Sequence, residues 1–288
     1  MSFLMLALLL LPGLANANQN PGLVTRVVGQ GEPIVLIPGL TCAGEVWDET
    51  IASLGQDHEY HVITLPGFAG NAPLEDHEGK FLEKMRDLVI AYIEKEHLEK
   101  PVIIGHSLGG FVALNIAIQK PDLPSKLVIV DSLPFLTAIQ MPGTTAEAAK
   151  GFAANMKAQM IGSADQPAES RIAFQRQMLQ TMIIDSAHIE KALQWGMDSD
   201  AETVAQAMYE LYTTDIRDEL DKIQVPTLVL GAWIAYQNYG VTRESNMTNY
   251  KAQYAKLKDV TVDMTDKGNH FIMWDDPEFF QDWLAKFL

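Results

Sequence analysis

A short β-branched run, Val102-Ile103-Ile104, stops at Gly105, and a helical pattern begins almost at once, with Phe111, Val112, Leu114, Asn115 and Ile118 at helical spacing. Between them stands Gly105-His106-Ser107-Leu108-Gly109. A chain that turns from strand to helix within about one residue must strain the residue at the bend. A side chain two positions to either side would collide with the turn, which accounts for the glycines. The serine Oγ is then expected to project from the top of a sheet at a helix N-terminus, where unpaired N–H groups favour developing negative charge. The plainer alternative is a glycine-rich turn whose serine does nothing but cap the helix.

Other strands can be placed around this turn. Residues 23–28, 34–37, 60–65, 127–131, 226–230 and 260–264 read as strands, and several are apolar throughout, as strands buried on both faces are. Helical patterns fall between them. Val46, Trp47, Ile51 and Leu54 share one helix face, and residues 81–97 are amphipathic. Residues 276–288 read as a closing helix begun by Asp276-Pro277. Alternation of this kind predicts an α/β fold, a mostly parallel sheet with helices on both faces.

The alternation stops at Pro134. From there to residue 222 no strand is expected, and methionines recur among Ala, Gln and Glu. This reads as an inserted helical cap over 134–222, with the core domain formed by 18–133 and 223–288. Methionine adapts to irregular apolar surfaces, so Met178 and Met182, with Trp233 after the 226–230 strand, are expected to line a substrate pocket. Most of the other methionines are expected simply to pack cap helices together.

Residues 1–17 stand apart. An apolar run over 3–11, too short to span a bilayer, is broken by Pro12-Gly13 and followed by Ala15-Asn16-Ala17. This predicts a signal peptide cleaved after Ala17, a periplasmic or secreted protein, and no stable membrane anchor after cleavage. No Lys or Arg precedes the apolar run. A formal charge of −16 over 288 residues argues against nucleic acid and anionic membrane surfaces as partners. The lone cysteine, Cys42, permits no internal disulfide. No histidine pair has ligand spacing, so neither a metal nor a cofactor is expected.

Together, Val35-Leu36-Ile37-Pro38-Gly39, the elbow with Gly110, the run from Ile216-Arg217-Asp218 to Gly231, and Gly268-Asn269-His270-Phe271 make the chain resemble the capped α/β-hydrolase superfamily. The resemblance implies Ser107 as nucleophile and His270 as the base that takes its proton. It implies an oxyanion hole from the backbone N–H groups of Leu40 and Leu108. Family members usually carry His-Gly where Pro38-Gly39 stands; Pro38 lacks an N–H, but that group is not one of the implied donors. The family's acid usually follows the strand read at 226–230, and Gly231-Ala232-Trp233-Ile234-Ala235-Tyr236-Gln237-Asn238 holds no carboxylate. Some relatives place the acid after the preceding strand, which points to Asp131. Glu244 is second, with Asp263 and Asp198 more distant. Asp215 reads as a helix cap.

The function this implies is hydrolysis of an ester or related acyl bond of a small molecule through an acyl-enzyme, as in a carboxylesterase or lactonase. Two other readings stand beside it: a non-catalytic ligand-binding member of the fold, and a C–C bond hydrolase.

Overall fold

Seven strands make one sheet in the computed structural model, which describes residues 22–288 except 56, 76–78 and 142. The signal peptide expected over 1–17 lies outside the described residues. The strands are β1 (Val24–Gly29), β2 (Glu32–Ile37), β3 (His58–Thr64), β4 (Val102–His106), β5 (Lys126–Val130), β6 (Thr227–Gly231) and β7 (Val260–Met264), in the order β1-β3-β2-β4-β5-β6-β7. Only β1 is antiparallel to its neighbour; β2 to β7 run parallel. The C-terminal ends of those six strands therefore share one edge.

Side chains alternate between two apolar layers. Val35, Ile37, Leu127 and Ile129 enter one, and Ile34, Leu36, Val128 and Val130 the other. The first layer is covered by α2 (Phe81–Lys95) and α3 (Leu108–Gln119), the second by α1 (Asp48–Leu54) and α11 (Pro277–Phe287). Helix α3 is apolar around most of its circumference because it lies between the sheet and α2. Helix α2 ends two residues before the expected 97, where His97 adopts a positive φ of 54°. Asp276 caps α11 by accepting from the Phe279 N–H, with Pro277 at the first helical position.

Between β5 and β6 the described residues form no strand. They fold as α4 (Thr137–Gln140), α5 (Ala146–Ser163), α6 (Ala168–Leu179), α7 (Ser186–Asp198) and α8 (Ala201–Thr213), followed by a 3-10 helix over Arg217–Lys222. Thr145, Asp185 and Asp200 cap α5, α7 and α8 through their side chains. Asp215 accepts from the Arg217 N–H and pairs with that guanidinium, although Ile216 is the residue in the capping position.

This insertion is tied to the strand ends. Gly70 N–H donates to the Asp198 carbonyl and Asp200 N–H to the Gly67 carbonyl, on the loop after β3. Phe271 N–H, after β7, donates to the Met182 carbonyl at 3.4 Å. Buried Glu210, on α8, receives the backbone N–H groups of Phe81 and Leu82 at 2.7 and 2.8 Å. It caps α2 from 128 positions away, where Lys80 gives no side-chain cap. The remaining helices, α9 (Arg243–Gln253) and α10 (Ile272–Asp275), flank β7.

Candidate active site

Ser107 sits between β4 and α3 with φ 53° and ψ −119°. A non-glycine residue reaches such a conformation only where the surroundings impose it. The glycines on either side show why they are needed. A Cβ on Gly105 would lie 2.3 Å from the Gly109 carbonyl oxygen, and one on Gly109 would lie 2.3 Å from that of Ile37. The turn is anchored by Ser107 N–H, which donates to the Val130 carbonyl at 2.9 Å. Ser107 occupies the capping position of α3, yet its side chain makes no capping hydrogen bond. The plain helix-cap role is therefore not the one this hydroxyl plays.

Asp131 directly follows the next strand, β5, again at positive φ, 44°. Its backbone N–H continues the ladder to the Leu230 carbonyl at 2.7 Å. One carboxylate oxygen, Oδ2, lies 2.6 Å from His270 Nδ1. The other, Oδ1, accepts the Ala232 N–H at 2.8 Å and the Tyr250 hydroxyl at 2.7 Å. A carboxylate facing Nδ1 fixes the proton there in the neutral ring, which leaves Nε2 as the acceptor.

His270 follows β7 in a loop held from two sides. Asp275 accepts from the Asn269 N–H and, across the insertion, from the Ile184 N–H, both at 3.0 Å. Burial raises the Asp275 carboxyl above its ordinary value. On the other side, fully buried His106 has its Nε2 3.0 Å from the His270 carbonyl, and its ring centroid lies 4.6 Å from that of His270. Burial, and then the neighbouring His270, push the His106 pKa well below that of a free imidazole.

Leu108 is the first residue of α3, so its N–H has no carbonyl one turn back within the helix. Leu40 follows Gly39, where an added Cβ would lie 3.3 Å from Ser107 Cβ, so the loop after β2 runs directly beside the serine. Neither Leu40 N–H nor Leu108 N–H donates to a loop or strand carbonyl among the described residues. The substitution of Pro38 costs the loop none of these donors.

The remaining expected residues divide. Trp233 packs on the first apolar layer and donates its indole N–H to Asp266, in the loop before His270, at 3.0 Å. Met182 packs against the second layer. Met178 packs on neither layer and is 45% exposed on α6, a helix that buries no residue. Glu244 is exposed in the first turn of α9, its carboxyl lowered by its own backbone N–H and by Thr242. Asp263 pairs with Arg243 and accepts from Trp283. Asp198 accepts from Gln194. Asp131 is thus the one carboxylate among those considered that meets His270.

Tyr250, Tyr254 and Tyr236 were not expected at the site. Burial is the main reason the Tyr250 and Tyr254 phenols lie well above their ordinary pKa, with anionic Asp131 adding to it. Burial of its hydroxyl end, followed by the charge of Asp131, pushes Tyr236 up to about 12. Among the described residues no three His, Cys, Asp or Glu side chains converge as metal ligands would. No helix among them is long and apolar enough to cross a membrane.

A strained serine at a strand–helix elbow of a parallel sheet, with a histidine–carboxylate pair at the end of the neighbouring strand, defines a hydrolase-type α/β architecture. A family model described as the alpha/beta hydrolase family matches residues 34–283. The chain is 30% identical over 203 residues to a pimeloyl-(acyl-carrier protein) methyl ester esterase of Vibrio parahaemolyticus, a match covering 70% of this chain and 75% of that protein. An esterase from Exiguobacterium antarcticum superposes with a TM-score of 0.73 at 17% identity, over 92% of this chain and 94% of that one. A thermophilic esterase from Thermogutta terrifontis gives 0.72 at 22% identity, over 94% and 97%. The chain belongs to the alpha/beta hydrolase family.

Proposed function

We propose that this protein is a serine esterase with Ser107 as nucleophile, His270 as general base and Asp131 as the acid of the triad. The observation that carries the reading is the 2.6 Å contact between His270 Nδ1 and Asp131 Oδ2, made at the strand edge where Ser107 stands strained and uncommitted to its helix. Ser107 Oγ attacks the ester carbonyl as His270 Nε2 takes its proton. The oxyanion is met by the N–H groups of Leu40 and Leu108. The tetrahedral adduct collapses, and His270 returns the proton to the leaving alcohol. Water, deprotonated by the same nitrogen, then releases the acid and restores the serine.

The helices between β5 and β6 act as a cap. Their hydrogen bonds to the loops after β3 and β7 support this, because those loops leave the sheet next to the strand ends at which Ser107 and Asp131 stand. A lid tied down on two sides suits a small acyl substrate. The Vibrio relative's name, a methyl ester esterase, supports an ester with a small leaving alcohol. The leader pattern over 1–17 supports export to the periplasm or beyond.

A fluorophosphonate probe tests the nucleophile. The wild-type protein should be labelled, and Ser107→Ala should lose both the label and at least about 10³ of kcat. Full activity in that variant would remove Ser107 from the reaction.

A further inference from the structure

The inner face of α9 is polar. Asn246, Tyr250, Gln253 and Tyr254 recur at helical spacing and are all buried. Three of them bond within residues 131–135, and Asn246 holds Ala232, which bonds to Asp131. Asn246 Nδ2 donates to the Ala232 carbonyl at 2.8 Å, whose own N–H holds Asp131. Tyr250 donates to Asp131 Oδ1 at 2.7 Å, and Tyr254 to the Ser132 carbonyl at 2.8 Å. Gln253 Oε1 accepts from the Phe135 N–H at 3.1 Å. A buried helix face that satisfies its polar groups on two adjoining segments, residues 131–135 and Ala232, fixes the position of both.

We infer that Tyr250 is a positioning residue for the reaction, setting the rotation of the Asp131 carboxylate so that only Oδ2 is presented to His270. This rests on Asp131 being the triad acid. Two donors, Tyr250 Oη and Ala232 N, occupy Oδ1, so the carboxylate cannot turn about its own axis without breaking both bonds. The Tyr250 ring is fixed in turn against Gly231, where an added Cβ would lie 2.8 Å from the ring carbon Cε1. At the end of β6 the chain thus supplies room for Tyr250 at Gly231 and the Ala232 N–H in place of a carboxylate. Both serve an acid displaced to the neighbouring strand.

Tyr250→Phe keeps the ring and removes only the hydroxyl. Because Asp131 acts on the imidazolium that forms during reaction, kcat is expected to fall about tenfold while KM stays within about twofold. In an Asp131→Asn background the same change should cost nothing further, since its target is already gone. Thermal unfolding of each variant shows whether the chain has folded. The low-field NMR resonance of the proton between His270 Nδ1 and Asp131 should move in Tyr250→Phe. Unchanged kcat in Tyr250→Phe, or an equal loss in both backgrounds, would overturn the positioning role and leave Asp131 as acid. Full activity in Asp131→Asn alone would overturn the acid assignment, and this inference with it.

Discussion

His106 Nε2 donates to the carbonyl oxygen of His270 at 3.0 Å, joining two residues 164 positions apart in sequence. A carbonyl can only accept, so Nε2 carries the proton and Nδ1 is bare. That nitrogen is buried without a partner and faces Gly39, whose added Cβ would lie 2.8 Å from it. The residue before Ser107 thus supports the backbone of His270 and packs beneath the loop that carries Leu40. The second task requires a neutral ring, because a proton on Nδ1 would be buried with no acceptor.

The neutral ring has a consequence for stability. The folded His106 pKa lies well below 6.5, burial being the main cause. Below about pH 6.5 the unfolded chain binds a proton that the folded chain does not, so stability is present above that pH and is lost as pH falls. The loss from this one residue is about 1.4 kcal/mol per pH unit until the folded ring itself titrates. Urea denaturation at pH 7.5 and 5.5 measures it. The drop should be shallower in His106→Gln; an equal drop in both proteins would mean that another group is responsible.

Asp131→Asn should leave the fold intact and lower kcat by about 10²–10⁴, because an amide cannot stabilise the imidazolium. Glu244→Gln should be silent, since that carboxyl is exposed and turned back on its own helix. Steady-state kinetics of the two variants decides between them, and the reverse pattern would move the acid to Glu244, in the first turn of α9.

Gly109→Ala would push a methyl group to 2.3 Å from the Ile37 carbonyl oxygen and 2.5 Å from that of Pro38. Both obstacles are backbone, so the loop carrying Leu40 must move. A stability loss of about 1–3 kcal/mol is expected, with kcat falling more than KM rises. Denaturant titration beside kinetics checks this. Wild-type behaviour would show that the elbow and the oxyanion loop are not in contact.

Asp275→Ala would free two N–H groups at once, Asn269 beside the base and Ile184 in the insertion. Displacing a catalytic group by about 1 Å can cost about 10²-fold, so kcat should fall by about ten- to a hundredfold. Hydrogen exchange should rise at both amides. Unchanged kcat with increased exchange would show that His106 and Asp131 hold His270 without help from the insertion.

The strands and the elbow were legible in the sequence because their causes are local: β-branched runs, and glycines forced by collisions a few residues away. The helical insertion was legible from the silence of strand signals after Pro134. Asp131 could be reached only through the family resemblance, since its contact with His270 spans 139 positions. Tyr250 was out of reach. It is one aromatic on a polar helix, and its meaning lies in a carboxylate 119 positions earlier.

The contact from Glu210 to the start of α2 bears on how such a fold can be re-engineered. The insertion is not a cassette that can be lifted out or exchanged with that of another family member. A graft that omits residue 210 leaves the Phe81 and Leu82 amides buried with no acceptor, and the damage falls on the core rather than on the transplanted part. Chimeras built on this scaffold must bring an acidic side chain back to that spot, or redesign residue 80 to do its work.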